Sequence, residues 1–322
     1  MNRFDPHAVI AADLAAVDAC LRANLSSEVP LIRQVAEYIV GSGGKRLRPV
    51  LLLLVASALG RNDSRSHALA AVVEMIHTAT LLHDDVVDES QLRRGRKTAN
   101  AVFGNAASVL VGDFLYSRAF QMMVGVGEMS IMRALADATN SIAEGEVLQL
   151  MNVGNADVSE ESYLQVIRFK TAKLFEAAAR IGALAVGAPA STSEAMAEYG
   201  MRLGTAFQLI DDVLDYSGEV EQIGKNLGDD LSEGKATMPL LRVLAAGNAS
   251  EQALVRAAIS DPATADFQAV LGAILRVGAL DFTRTAARAE ADRAAALLAT
   301  LPAGPSQQTL LELCVFAVER NA

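Results

Sequence analysis

The 322-residue chain sets 28 Lys and Arg against 38 Asp and Glu, a formal net charge of −10, with 52% hydrophobic residues and no Trp. That balance excludes a general affinity for the nucleic-acid backbone, which needs a basic face, but leaves room for a local basic cluster around a phosphorylated small molecule. Alanine recurs throughout and no stretch alternates with period two, so the composition predicts an all-α protein, a single domain over residues 1–322.

The opening Met1-Asn2-Arg3-Phe4-Asp5-Pro6 lacks a signal-peptide pattern, and the longest apolar run, Val50 to Leu59, is about half a bilayer span. A cytoplasmic protein is the expectation. Cys20 and Cys314 fit no metal or redox spacing and read as free buried thiols.

An amphipathic helix is expected over 7–25, with Val9, Leu14, Val17 and Leu21 on one stripe, and a second from Pro30 to about Val40. The segment Gly41-Ser42-Gly43-Gly44-Lys45-Arg46-Leu47-Arg48-Pro49 then places three cations among glycines. Glycines let backbone amides approach an anion, and Lys and Arg supply charge; a solvated basic turn is the other reading. Neither a G-x-G-x-x-G nor a P-loop pattern is present, so a nucleotide is not indicated.

Helices follow over 50–60 and 66–90, joined by Arg61-Asn62-Asp63-Ser64. The second carries His77 two turns before Asp84, with the small residues Ala79 and Thr80 between them. It ends in His83-Asp84-Asp85-Val86-Val87-Asp88-Glu89-Ser90, directly before the basic run Gln91-Leu92-Arg93-Arg94-Gly95-Arg96. Residues 98–126 read as one long helix and 130–151 as another, ending in Gly145-Glu146-Val147-Leu148-Gln149-Leu150. Ser159-Glu160-Glu161 opens a helix that carries Lys170-Thr171 and continues to Ala185.

Residues 193–216 hold Gln208 and a second acidic set, Asp211-Asp212-Val213-Leu214-Asp215. Gly218 to Gly234 has the glycine- and charge-rich composition of either an active-site lid or a plain surface loop. From Met238 onward Ala/Leu helices run to a break at Pro302–Pro305 and a last helix with Leu310, Leu313 and Phe316.

The two D-D-x-x-D sets, 127 residues apart, are the only internal repeat. Within each, carboxylates at i and i+4 share one helix face, where like charges repel and apolar neighbours raise the cost. A positive partner is required. Carboxylate oxygens without Cys ligands select a hard cation, and Mg²⁺ takes a few carboxylates together with substrate phosphate oxygens. Guanidiniums a few residues from such a site suit a diphosphate, which can be gripped by metal on some oxygens and by Arg on others.

The ordered set G-G-K-R-L-R-P, L-L-H-D-D-V-V-D-E-S-x-L-R-R-G, F-K-T and F-Q-L-I-D-D-V-L-D resembles the trans-type polyprenyl diphosphate synthases over essentially the whole chain, and within them the long-chain branch that makes quinone side chains. The resemblance implies an isoprenoid synthase-type helical bundle around a deep central cavity. It also implies Mg²⁺, three ions per site, and the substrates isopentenyl diphosphate and an allylic diphosphate such as farnesyl diphosphate.

Residue by residue, Lys45, Arg48, His77 and Arg94 match the isopentenyl diphosphate pocket. Asp84, Asp88 and Asp211 match the metal ligands, supported by Asp85, Asp212 and Asp215. Arg93, Lys170, Gln208, Lys225 and Lys235 match contacts to the allylic diphosphate, with Thr171 close by and Lys170 also counted among the catalytic residues; Asp230 is an added water or Lys contact. A homodimer is implied by family precedent, and so apolar a product implies peripheral membrane contact on release.

A product of about C40–C50 is expected, because a helix of about 25 residues is roughly 35–40 Å long and Ala79 and Thr80 leave the path along it open. Rival readings are a class I terpene cyclase, which would not need isopentenyl diphosphate; a non-catalytic subunit of a heteromeric synthase, which would not turn over alone; and a metal phosphohydrolase, which needs more than the four His present.

Overall fold

A computed structural model of the chain describes residues 6–41, 43–93, 95–217 and 227–320. The helices are α1 (Ala11–Asn24), α2 (Pro30–Val40), α3 (Leu47–Leu59), α4 (Ser64–Val87), α5 (Ala99–Phe103), α6 (Asn105–Val126), α7 (Met129–Asn152), α8 (Glu160–Ile167), α9 (Lys173–Ala185) and α10 (Ala190–Ser217). A short turn Asp229–Ser232 and helices Met238–Ala246, Ala249–Ser260, Phe267–Val277, Ala279–Leu297 and Pro305–Glu319 complete the set. The all-α expectation holds, with one small exception. Leu92–Arg93 and Arg96–Lys97 pair as a minimal antiparallel ribbon within the basic run.

The described residues fall into two compact units, those within Met1–Thr139, Leu174–Gly200 and Ala295–Leu313, and those within Asn140–Lys173, Met201–Ala294 and Cys314–Ala322. In the first unit α3 is buried continuously from Pro49 to Ala56, which is why its sequence is apolar on every face. Each such buried Leu or Val contributes about 1.5–3 kcal/mol. α4 packs against α1, α3 and α6. It begins at Asp63, whose carboxylate accepts from the amides of Arg65 (2.9 Å) and Ser66 (3.1 Å). The adjoining helix expected over 98–126 is instead two, because Gly104 sits at φ +88°, outside helical backbone, and separates α5 from α6.

The second unit has its own core of Tyr216, Leu231, Leu240, Val243, Val255, Ile259, Val270 and Ile274. A reciprocal cap between Asn248 and Glu251 starts the helix Ala249–Ser260. The continuous helix expected from Ser159 to Ala185 is interrupted by a π turn over Arg168–Ala172, which carries Lys170 and Thr171. α7 passes so close to that turn that a Cβ on Gly145 would lie 2.6 Å from the backbone nitrogen of Lys170.

Candidate active site

In the first unit the acidic set occupies the last turn of α4, where the negative end of the helix dipole disfavours carboxylates. Asp85 turns inward, has no exposed surface, and accepts on Oδ1 from Arg93 Nε (2.8 Å) and Nη2 (2.7 Å). Its Oδ2 is buried without a hydrogen-bond partner among the described residues. Asp84 and Asp88 stay half-buried at the helix end. Glu89 in left-handed backbone (φ +50°) stops the helix, and Asn100 Nδ2 caps the carbonyls of Asp85 (3.0 Å) and Ser90 (3.3 Å). His83 points at α6, with Nε2 3.2 Å from the Val109 carbonyl and 3.4 Å from Asp113 Oδ1, and its ring stacks on Tyr116.

The three cations of the glycine-rich segment have separate environments. Arg46, itself in left-handed backbone, pairs with the buried Glu74 (2.7 Å), a structural use. Arg48 Nη1 donates to His77 Nε2 (3.0 Å), which places that ring's own proton on Nδ1, and its guanidinium lies 4.5 Å over the Phe175 ring. Lys45 is exposed on the same segment, its carbonyl accepting from His7 Nε2 (3.1 Å). Ala79 has no exposed surface, whereas Thr80 is half-buried and donates to the His77 carbonyl (2.8 Å). Arg94 and Lys225 lie outside the described residues, as does 218–226 of the lid segment.

In the second unit the acidic set lies in the last two turns of α10. Asp212 is buried; Gln208 Nε2 donates to its Oδ1 (3.1 Å) and the Tyr163 hydroxyl to its Oδ2. Burial, reinforced by the charge of Asp230, pushes the Asp212 carboxyl up to about 8. Burial and then the Asp212 charge hold the Tyr163 hydroxyl well above the usual phenol range, so it remains a donor. Asp211 meets a cation instead: Arg320 Nη2 lies 2.6 Å from its Oδ1 and 2.7 Å from the Phe207 carbonyl, with the guanidinium 3.6 Å over the Phe207 ring.

Lys170 Nζ, on the π turn, donates to Glu146 Oε2 and Gln149 Oε1, both at 2.6 Å. Thr171 Oγ1 donates to Gln208 Oε1 (3.1 Å), and Lys235 Nζ pairs with Glu233. Asp215 is half-buried one turn beyond Asp211. Tyr163, Glu146, Gln149, Asn100 and Arg320 were not among the site residues read from the sequence. Glu146 and Gln149 left a signal, being one turn apart in G-E-V-L-Q-L; Arg320, two residues from the chain end, left none.

Among the described residues no three His, Cys, Asp or Glu side chains converge into a finished metal cage. Each acidic set nevertheless fits a hard divalent cation: half-buried carboxylate oxygens at a negative helix end, to be completed by oxygens from a bound anion. A cation completed by oxygens of a bound anion, with Arg93 at one set and Arg320 at the other, is an arrangement for a diphosphate.

The comparisons agree with that chemistry. The polyprenyl synthetase family model matches residues 29–274. Octaprenyl diphosphate synthase of Escherichia coli strain K12 is 49% identical over 322 residues, covering 100% of both chains. A Caulobacter crescentus CB15 polyprenyl synthase, whose crystal structure is a complex with calcium and isoprenyl diphosphate, superimposes with a TM-score of 0.95 at 46% identity, covering 98% of this chain and 97% of that one. A decaprenyl diphosphate synthase from Rhodobacter capsulatus gives 0.93 at 46% identity, covering 98% of each. The chain thus belongs to the polyprenyl synthetase family, and is a prenyltransferase.

Proposed function

We propose that the chain lengthens an allylic diphosphate, farnesyl diphosphate being the expected primer, by successive trans condensations with isopentenyl diphosphate, giving a long-chain polyprenyl diphosphate of about C40–C50 for a quinone side chain. The E. coli and R. capsulatus relatives carry names at eight and ten isoprene units, which bracket that range. The observation that carries the reading is the Arg48–His77 pair, because His77 stands on the same helix as Asp84 and Asp88. A cation-and-imidazole pocket beside an acidic metal site serves two anions, as condensation needs; a terpene cyclase has only one to hold.

In this reading Asp84, Asp88 and Asp211 hold Mg²⁺, three ions by family precedent, with Asp85, Asp212 and Asp215 in support. The bound ions supply charge neutralisation for the departing diphosphate. Lys170, Arg93, Gln208, Lys225 and Lys235 take the remaining oxygens of the allylic diphosphate, with Thr171 beside them, while Lys45, Arg48, His77 and Arg94 hold isopentenyl diphosphate. The allylic C–O bond breaks, its electron pair leaving with diphosphate, and the isopentenyl double bond attacks the allylic carbon. The new cation loses a proton to the released diphosphate, forming the next double bond. Water would be kept from the cation by an apolar cavity into which the product grows past Thr80, with Ala79 packed behind it.

The full span 1–322 is proposed as one catalytic domain, supported by a family match that runs over residues 29–274. A homodimer fits the exposed apolar side chains of Leu110 and Val124 on α6, each 67% accessible. Among the described residues no helix is long and apolar enough to cross a membrane, in keeping with a cytoplasmic enzyme whose product release uses a membrane surface only peripherally.

The test is purified protein with farnesyl diphosphate, labelled isopentenyl diphosphate and Mg²⁺, its products sized by reversed-phase chromatography. Chains near C40–C50 that require isopentenyl diphosphate are expected. Turnover without it, or none by the protein alone, defeats the assignment.

A further inference from the structure

The Lys170–Thr171 segment and the second acidic set are tied together by hydrogen bonds that neither motif foretells. Thr171 Oγ1 donates to Gln208 Oε1 (3.1 Å), Gln208 Nε2 donates to Asp212 Oδ1 (3.1 Å), and the Tyr163 hydroxyl donates to Asp212 Oδ2. Tyr163 and Asp212 are both buried, and Gln208 and Asp212 stand one turn apart on α10.

The far ends of this run straddle the change in helix geometry. Tyr163 lies on α8 before the π turn, and Thr171 lies within it. A π turn winds wider than an α turn, so the direction in which Lys170 leaves the backbone is not set by regular helix geometry. Two links between a pair of rods fix their slide as well as their separation. Thr171–Gln208 is one link and Tyr163–Asp212 the other. Losing either lets the turn carrying Lys170 shift along α10, on which Asp211 and Asp215 are mounted.

Resting on the reading above, in which Lys170 and Asp211 serve the same allylic diphosphate, we propose that Tyr163 is a positioning residue. Its hydroxyl, acting through Asp212, sets the distance between the Lys170 ammonium and the carboxylates that hold metal. An ordinary core tyrosine would need only its ring. Here the hydroxyl is the functional part, because it is spent on the one carboxylate of this set that is wholly buried.

The test compares Tyr163→Phe, which keeps the ring, with Val166→Ala, which loosens the same helix without touching the network. Tyr163→Phe is expected to raise the allylic KM and the Mg²⁺ midpoint about fivefold, the scale of one lost buried hydrogen bond, with the isopentenyl KM unchanged. Calorimetric affinity for inorganic diphosphate with Mg²⁺ should fall by a similar factor. Val166→Ala should lower Tm and move neither quantity. Thr171→Val, cutting the other link, should reproduce the pattern and supplies the test if Tyr163→Phe does not fold.

An allylic KM and diphosphate affinity within about twofold of the parent in these network variants overturns the proposal, and so do equal shifts in both KM values that merely track Tm. Wild-type protein that fails to condense the two diphosphates would defeat the assigned reaction instead. Wild-type turnover with unaffected network variants would defeat this inference alone.

Discussion

The two acidic sets share a sequence pattern and a position near a helix end, yet they balance their charge differently. On α4 the second carboxylate, Asp85, is buried against a cation, Arg93. On α10 the second carboxylate, Asp212, is buried against neutral donors, Tyr163 and Gln208, and its charge is suppressed by protonation. The cation of that set, Arg320, sits on the first carboxylate instead. One motif therefore buries its second carboxylate in two ways, against a charge on α4 and against neutral donors on α10. In the proposed reading, a metal held by Asp211 on α10 would share that carboxylate with a guanidinium.

The largest expected effect breaks the symmetry at the first carboxylates. Asp84→Ala and Asp211→Ala should each lower kcat about 10²–10³-fold, the scale of removing one preorganised electrostatic contact. Only Asp211→Ala also strands Arg320, whose side chain is 4% exposed, and should cost about 1–2 kcal/mol once the 42% exposure of Asp211 is discounted. Thermal unfolding of metal-free protein should recover in the double variant with Arg320→Met. A metal-free Tm unchanged in Asp211→Ala would remove Arg320 from the comparison.

The second carboxylates give the next contrast. Asp85→Asn leaves Arg93, 22% exposed, facing a neutral group in a buried site and should cost about 2–3 kcal/mol. Asp212→Asn should cost under about 1 kcal/mol, because a protonated carboxyl is already neutral and the Gln208 amide can flip to accept from the new NH₂. Urea unfolding of the two variants without metal measures both. Equal losses would mean that the two burial modes do not differ in charge.

A third contrast lies in product rather than stability, and it concerns α4 alone. Thr80 retains exposed surface and Ala79 has none. Thr80→Phe should shorten the product while the protein still folds, whereas Ala79→Tyr forces a ring into packed core and should lower Tm by several degrees along with activity. Unchanged chain length for Thr80→Phe, read by reversed-phase chromatography, would take Thr80 out of the product's path.

How much of this was legible in the sequence follows the range of the forces involved. Helix positions, the Asp63 region and the Ser159 cap were readable because caps and apolar periodicity are local. The break at Gly104 and the π turn at Lys170 were not, since a glycine inside an apolar run and a one-residue widening leave the periodicity nearly intact. The aspartates were legible as unusual charges in apolar runs. Their partners were not: Arg93 lies eight residues from Asp85, Tyr163 is 49 from Asp212, and Arg320 is 109 from Asp211. Arg93 was read as a diphosphate contact and not as the partner of Asp85, so all three pairings emerge only in the fold.

The last contrast is a slope, and it tests the charge state of Asp212 directly. In the unfolded chain its carboxyl titrates near 3.8; buried, it is raised to about 8. Between those values the folded state holds a proton that the unfolded state has released, so stability must fall as pH rises, by at most about 1.4 kcal/mol per unit. The Asp63 carboxyl contributes with the opposite sign: the Ser66 amide, first among its partners, holds it below 3.8, so its stabilisation is lost only on the acid side of that value. It does not enter the window from pH 5 to 8. Metal-free protein should therefore lose Tm across that window, and Asp212→Asn, which cannot release a proton, should flatten the loss. Parallel curves for the two proteins would mean that Asp212 is ionised when folded, and that both acidic sets carry their charge alike.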